Sequence, residues 1–109
     1  SDGKQHRDFL YVDDFVKIVF KILINKRYNG EVFNIGFGRA CSVKKVINLI
    51  TNITNKGNPD FGKIKLRKEE NLISYPSILK VKKLIGWEPK INLIEGLSKT
   101  IKFYQKESI

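Results

Sequence analysis

The chain has 109 residues and a formal net charge of +10, with 21 basic against 11 acidic residues. A chain of this length forms one domain or part of one, and no run of 18 or more apolar residues predicts a transmembrane helix. The single cysteine, Cys41, excludes a disulfide framework and a cysteine-based metal site. We therefore expect a reducing, cytoplasmic location and no metal.

The basic charge has more than one interpretation. Seventeen of the 21 basic residues are lysines, dispersed along the chain, and only four are arginines. Arginine is the side chain that grips guanine or phosphate through two parallel hydrogen bonds. The composition therefore favours a solvated basic surface, or the binding of a small anionic molecule, over a nucleic-acid interface.

The first 30 residues predict a turn, a strand and a helix. Asp2-Gly3 is a hairpin-turn signal, and the apolar run 9–12 suits the strand after it. No strand precedes that turn, so we expect the natural chain to extend upstream. Asp13 or Asp14 is expected to cap a helix that ends at Asn29-Gly30. Its apolar face is wide enough to need cover on more than one side.

The rest of the chain alternates between short β-rich runs and amphipathic helices. Ser42, Gly86 and Asn92 are signals for helix starts and stops, with Asn92 and Glu95 forming a capping-box-like pair. The resulting order β-α-β-α-β-α-α predicts an α/β fold with three short strands and about four helices. The predicted elements are strand 32–35, a helix from Ser42, strand 64–66, a helix between 74 or 76 and Gly86, and a helix from Asn92.

A glycine pair, Gly36-x-Gly38, follows the second predicted strand and precedes a helix. It is similar to a dinucleotide-binding fingerprint whose third glycine is replaced by Cys41. No acidic residue ends the next predicted strand, and Cys41 would hinder close packing of helix on strand. A tight strand-to-helix turn is therefore the favoured interpretation.

Other polar residues give weak signals for catalysis. Asp13 and Asp14 are adjacent on a helix start and point in different directions, which favours capping over acid–base pairing. Neither His6 nor Cys41 has a catalytic partner at a recognisable spacing. We therefore predict no catalytic residue on this chain.

Arg7 and Arg67 are the candidates for a binding role. Each flanks a predicted strand, and two arginines at strand ends suit a bidentate grip on a diphosphate. The alternative is local pairing with a nearby carboxylate. Spacing alone favours this alternative, which pairs Arg7 with Asp8 or Asp14, and Arg67 with Glu69 or Glu70.

Five stretches of the chain occur in a characteristic order. They are Arg-Asp-Phe-Leu-Tyr-Val-Asp-Asp within 3–14, Gly-Glu-Val-Phe-Asn-Ile-Gly-Phe-Gly at 30–38, Ser-Val at 42–43, Arg-Lys-Glu-Glu at 67–70, and a Gly-Trp-Glu-Pro-Lys run at 86–90 followed by Glu-Gly-Leu and Phe-Tyr. Together they resemble the C-terminal part of extended short-chain dehydrogenase/reductases, the NAD-dependent nucleotide-sugar epimerases and dehydratases. The resemblance covers nearly the whole chain.

The resemblance implies that residues 1–109 are a single substrate-binding region of a longer Rossmann-type enzyme. It implies that Arg7 and Arg67 hold the pyrophosphate and that Glu70 contacts the nucleoside, which reverses the preference for local pairing. Two departures are Ser77 to Lys80 where the family has Asp-x-Ser-Lys, and Lys68-Glu69 where it commonly has Pro-Gly. The second departure weakens the alignment of Glu70 with the acidic residue of the family's Arg-x-x-Glu segment.

The catalytic elements of that family are missing from this sequence. It contains no complete glycine fingerprint and no Tyr-x-x-x-Lys pair, which the resemblance places in an N-terminal, NAD(P)-binding Rossmann half. We therefore expect no cofactor-binding residue on this chain, and we expect the chain to be inactive alone.

The favoured interpretation is the nucleotide-sugar-binding part of a cytoplasmic epimerase or dehydratase in carbohydrate biosynthesis, acting as an isomerase, lyase or oxidoreductase. No membrane partner is expected, and the resemblance raises a homodimer as an arrangement of the full-length enzyme. One alternative is a stand-alone, non-catalytic nucleotide-sugar-binding module. A less favoured alternative is a basic nucleic-acid-binding domain. The sequence leaves open the base, the sugar and the reaction.

Overall fold

The computed structural model of the protein describes residues 1–107. The architecture is α/β, which confirms the predicted class. The elements in chain order are β1 (His6–Asp8), α1 (Val12–Leu23), a 3-10 turn (Lys26–Tyr28), β2 (Ala40–Ser42), α2 (Val43–Thr54), α3 (Leu79–Ile85) and α4 (Leu93–Glu107).

A small sheet lies at the centre of this arrangement. β1 pairs antiparallel with β2, and Arg7 lies opposite Cys41. On its other side β1 meets the segment 72–74, because the His6 amide donates to the Leu72 carbonyl at 2.7 Å and the Ser74 amide donates to the His6 carbonyl at 3.1 Å. This parallel bridge between His6 and Ile73 fixes the segment before α3 against β1.

The three predicted strands were placed wrongly. The first lies at 6–8 rather than 9–12, and neither 32–35 nor 64–66 forms a strand. A β-rich run becomes a strand only where a neighbour supplies ladder hydrogen bonds. Val32 and Ile64 are instead 77% and 75% exposed.

The helix boundaries agree better with the sequence. The Ser42 hydroxyl accepts the Lys45 amide at 3.1 Å at the start of α2, and the Asn92 side chain accepts the Glu95 amide at 2.9 Å at the start of α4. Gly86 ends α3 with a φ of +76°, the left-handed conformation that glycine adopts without strain. α3 itself begins at Leu79, later than predicted.

The prediction that Asp13 or Asp14 caps α1 was wrong. α1 begins at Val12, no side chain caps it, and both aspartates lie in its first turn. It ends at Leu23, well before Asn29-Gly30, because the chain continues as a separate 3-10 turn.

Asp14 instead ties α1 to the segment before α4. Only 1% of Asp14 is exposed, and its Oδ2 accepts the amides of Lys90 and Ile91 at 3.1 and 2.9 Å. Beside it, Ile18 packs with Val81 and Trp87 in a buried cluster. This cluster joins α1 to α3 and fixes the direction of the chain after Gly86.

α1 carries apolar side chains on a second side, next to the buried one. Ile18 faces the cluster, whereas apolar side chains at positions a turn apart on the adjacent face remain exposed. The wide apolar face predicted for this helix is therefore only partly covered within residues 1–107. The exposed side chains are Val12, Phe15, Val16, Val19, Phe20 and Leu23.

Candidate functional site

The fold brings Arg7, Arg67 and Glu70 together. Arg7 Nη2 lies 2.6 Å from Glu70 Oε1. Arg67 donates to the other oxygen, Glu70 Oε2, from Nε at 3.2 Å and from Nη2 at 2.8 Å. One carboxylate thus bridges two guanidinium groups, and we refer to these three residues as the arginine cluster.

Backbone geometry positions each member of the arginine cluster. Arg7 lies in the middle of β1, and its Nη1 donates to the His6 carbonyl at 2.8 Å, which orients the guanidinium. Glu70 closes a turn in which its amide donates to the Arg67 carbonyl at 3.1 Å. The bridge between His6 and Ile73 then holds this turn beside β1.

The local-pairing alternative is correct for Arg67 and incorrect for Arg7. Arg67 pairs with Glu70 three residues away, whereas Arg7 pairs with Glu70, 63 residues away, instead of Asp8 or Asp14. Sequence spacing could not show this second contact. Only the resemblance named the three residues as one group.

The arginines lower the pKa of the Glu70 carboxyl. The largest cause is the hydrogen bond from Arg67; burial opposes it, and the charges of Arg67 and Arg7 add to the lowering. With two cations and one anion, the cluster keeps a net positive charge. It therefore attracts a further anion from solution.

A second carboxylate, Asp8, is held by the glycine turn. Its Oδ1 and Oδ2 accept the amides of Phe37 and Gly38, each at 2.8 Å. A Cβ on Gly36 would lie 2.5 Å from Pro76 Cγ and 2.9 Å from Asp8 Oδ1. The turn is thus closed around a carboxylate of this chain, and its amides do not fit a cofactor pyrophosphate.

Sequence reasoning identified this turn but missed Asp8. The favoured interpretation was a tight strand-to-helix turn, but no strand immediately precedes it, and it leads first into β2 and only then into α2. Its anion partner is 29 residues away in sequence. No local pattern marks such a pairing.

An open cavity of about 510 Å³ lies beside Arg7 and is lined also by Asn34, Ser74 and Tyr75. Their amide, hydroxyl and phenol groups can donate and accept hydrogen bonds. A larger cavity of about 740 Å³ lies between residues 8–13 and α4, and none of the arginine cluster lines it. The smaller cavity, which Asp8, Ile35 and Pro76 also line, includes Arg7 of the arginine cluster in its lining, so it is the better candidate for ligand binding.

The remaining polar candidates, His6 and Cys41, are neighbours of Arg7 in the sheet, but the polar contacts of their side chains are with backbone carbonyls outside the arginine cluster. Cys41 is half-buried in β2, and the His6 ring lies 2.9 Å from the Lys4 carbonyl. Within residues 1–107, no group of three or more histidine, cysteine, aspartate or glutamate side chains could hold a metal ion. No helix in that range is long and apolar enough to cross a membrane.

Comparisons with known proteins agree with the resemblance. Residues 1–36 match the profile of the NAD dependent epimerase/dehydratase family. Over 111 residues the chain is 33% identical to a UDP-glucuronate 4-epimerase of Thermodesulfobacterium geofontis, a match that covers 100% of the chain and 33% of that protein.

Two solved structures share the fold. One is the UDP-glucose 4-epimerase of Thermotoga maritima with UDP-glucose, at a TM-score of 0.79 and 34% identity, covering 98% of this chain and 34% of that one. The other is the UDP-glucuronic acid 4-epimerase of Bacillus cereus in complex with UDP-glucuronic acid and NAD, at 0.83 and 28%, covering 98% and 34%. The chain thus spans about a third of the length of the relatives it matches. Its sequence motifs and its fold are thus similar to those of the C-terminal third of proteins of the NAD-dependent epimerase/dehydratase family.

Proposed function

We propose that this chain is the nucleotide-sugar-binding, C-terminal region of an NAD(P)-dependent nucleotide-sugar epimerase or dehydratase. In this proposal Arg7 and Arg67 hold the diphosphate and Glu70 contacts the nucleoside. The observation that carries it is the convergence of both guanidinium groups on one carboxylate.

The geometry of the cluster suits a diphosphate. Guanidinium groups bind carboxylates and phosphates through the same paired N–H donors. Two arginines that share the two oxygens of Glu70 also lie close enough together to share neighbouring phosphate oxygens. The net positive charge of the cluster favours an anionic ligand over a neutral sugar.

The relatives support the class of ligand. The Thermotoga maritima structure contains UDP-glucose, and the Bacillus cereus structure contains UDP-glucuronic acid and NAD. By analogy we propose a nucleotide sugar as the substrate and NAD(P) as the cofactor of the full-length enzyme. The Gly36–Gly38 turn is occupied by Asp8, so we assign the cofactor to another part of that enzyme.

The packing supports a larger body. The radius of gyration is 16.6 Å, and the shortest dimension is 19 Å, whereas a compact domain of this length has a radius of gyration of about 13 Å. This thin molecule has an exposed apolar side on α1 and a segment, 32–35, that has no strand partner. We propose that the cofactor-binding half covers both. Three points remain predictions: the chain alone is inactive, the protein is cytoplasmic, and the full-length enzyme forms a homodimer.

The test is the substrate affinity of arginine variants in the full-length protein. Arg7→Ala and Arg67→Ala are each expected to weaken nucleotide-sugar binding by about 1.5–3 kcal/mol, the range for hydrogen bonds to charged groups. That range corresponds to roughly 10- to 150-fold in Kd. Calorimetric titration measures the change.

Arg27→Ala is the matched control, since Arg27 is exposed and lies on the 3-10 turn outside the cluster. It removes the same charge and is expected to leave Kd within about twofold, because exposed charges interact weakly through water. Unchanged affinity in both cluster variants would contradict the proposed function.

The two alternatives lead to different measurements. A stand-alone module would bind UDP, GDP, CDP or dTDP as the isolated 109-residue chain. A nucleic-acid-binding domain would bind oligonucleotides with an affinity that falls steeply with salt.

A further inference from the structure

We propose that Glu70 is an internal competitor for the diphosphate: its carboxylate occupies the guanidinium donors that a diphosphate needs, so the ligand must displace it. The site then selects ligands that give the displaced carboxylate a new partner. This inference rests on the proposed function of the arginine cluster.

The hydrogen bonds show which donors are engaged. Arg67 uses Nε and Nη2, the paired edge that suits bidentate binding of an anion, on Glu70 Oε2. Arg7 has Nη1 on the His6 carbonyl and directs Nη2 to Glu70 Oε1. A diphosphate that binds both arginines through these groups takes the positions of the two Glu70 oxygens.

The exposure of Arg67 lowers the cost of the exchange. The Arg67 side chain is 81% exposed, so water can solvate its guanidinium while Glu70 leaves. An ion pair with an exposed partner such as Arg67 contributes little net free energy, so most of the cost lies in the Arg7 pair, in which the arginine side chain is 29% exposed. The backbone bond from the Glu70 amide to the Arg67 carbonyl does not depend on the side-chain contact. Glu70 can therefore rotate away while the turn stays in place.

The displaced carboxylate needs a new partner. Only 15% of the Glu70 side chain is exposed, and a half-buried carboxylate that loses its donors is destabilised. The hydroxyl groups of a nucleoside can donate to it, whereas inorganic pyrophosphate has no nucleoside to supply them. Glu70 therefore penalises bare pyrophosphate more than a nucleoside diphosphate.

The size of the penalty follows from how often the arginines are free. When a ligand binds only a minor state of the protein, its apparent affinity is the intrinsic affinity multiplied by the fraction of molecules in that state. Removing the charge of Glu70 makes the arginines available at all times. The affinity for inorganic pyrophosphate is then expected to rise about fivefold or more, the scale of one or two weak ion pairs.

The experiment compares Glu70→Gln with Glu69→Gln in the full-length protein, titrated with inorganic pyrophosphate and with UDP. Glu69 is the exposed neighbour, so its variant removes the same charge from the same turn and leaves the cluster intact. The Glu70 variant is expected to bind pyrophosphate about fivefold more tightly than wild type. Its affinity for UDP is expected to rise by a smaller factor or to fall. The Glu69 variant is expected to keep the wild-type ratio of the two affinities.

Pyrophosphate affinity that is no higher in Glu70→Gln than in Glu69→Gln overturns the inference. If Glu70→Gln fails to fold in a thermal melt, Glu70→Asp replaces it, since a shorter carboxylate cannot reach both arginines and should also bind pyrophosphate more tightly than wild type. If Arg7→Ala and Arg67→Ala bind the nucleotide sugar as tightly as wild type, the proposed function is wrong. If both arginine variants bind the nucleotide sugar more weakly but Glu70→Gln does not bind pyrophosphate more tightly, only the inference about Glu70 is wrong.

Discussion

Two carboxylates of this chain are held by hydrogen-bond donors of the kinds that bind anions, and the type of donor differs between them. Asp8 accepts two backbone amides at 2.8 Å, within the turn that Gly36 closes against Pro76. Glu70 accepts three side-chain donors at 2.6 to 3.2 Å, and the two from Arg67 come from an exposed side chain.

The difference separates a structural anion site from an exchangeable one. Backbone amides cannot move away without unfolding the turn, so Asp8 is a fixed part of the fold. Guanidinium groups on long side chains can accept a new partner while the backbone stays in place. The same ionic chemistry therefore holds Asp8 in the fold and, in the function we propose, binds the ligand at the arginine cluster.

The largest effect should come from closing the space around Asp8. Gly36→Ala would place a Cβ 2.5 Å from Pro76 Cγ and 2.9 Å from Asp8 Oδ1. Overpacking of this kind is expected to lower the free energy of unfolding by about 3 kcal/mol. Urea denaturation measures the loss.

Gly96→Ala is the matched control, since its Cβ would lie 3.2 Å from Tyr11 Cδ1 within α4. The tighter contact is offset by the higher helix propensity of alanine, so we expect a change within about 1 kcal/mol. Equal losses in the two variants would show that the turn around Asp8 is not specially constrained.

A smaller loss should follow when the charge of Asp8 is removed. Asp8→Asn keeps the shape but offers only one acceptor oxygen to the amides of Phe37 and Gly38. We expect a loss of about 2 kcal/mol in the free energy of unfolding, as for hydrogen bonds to a charged group. Asp13→Asn, at an exposed position in the first turn of α1, should cost less than about 1 kcal/mol. A loss at Asp8 no larger than at Asp13 would contradict a structural role.

The smallest effect on stability should come from Glu70, and it should depend on pH. Arg67 and Arg7 lower its folded pKa below the ordinary value of 4.5, so its stabilising contribution is present above that value and is lost as the pH falls through the folded pKa. The difference in Tm between wild type and Glu70→Gln should therefore be largest near neutral pH. It should vanish in acid, where wild-type Glu70 is also protonated. A difference that grows as the pH falls would show that the arginines do not stabilise the ionised form.

Local signals in the sequence predicted the helices best. Ser42, Asn92 and Gly86 each act within four residues of their own position, so spacing alone reveals them. The strands at 32–35 and 64–66 were predicted wrongly because strand formation depends on partners distant in sequence.

The contacts that build the site are also distant in sequence. Glu70 reaches Arg7 across 63 residues, Asp8 reaches the glycine turn across 29, and Asp14 reaches Lys90 across 76. Side-chain types show that these carboxylates need donors, but not which donors the fold supplies. The family resemblance named the three residues of the arginine cluster, whereas it assigned no role to Asp8 or Asp14, although both lie in its first stretch.

The most direct measurement is a crystal structure of the full-length protein with a bound nucleoside diphosphate. We predict that Arg7 and Arg67 donate to the phosphate oxygens and that Glu70 has turned from both arginines toward the nucleoside, while Asp8 keeps its two amide bonds. A diphosphate bound elsewhere, with both arginines still on Glu70, would contradict the account.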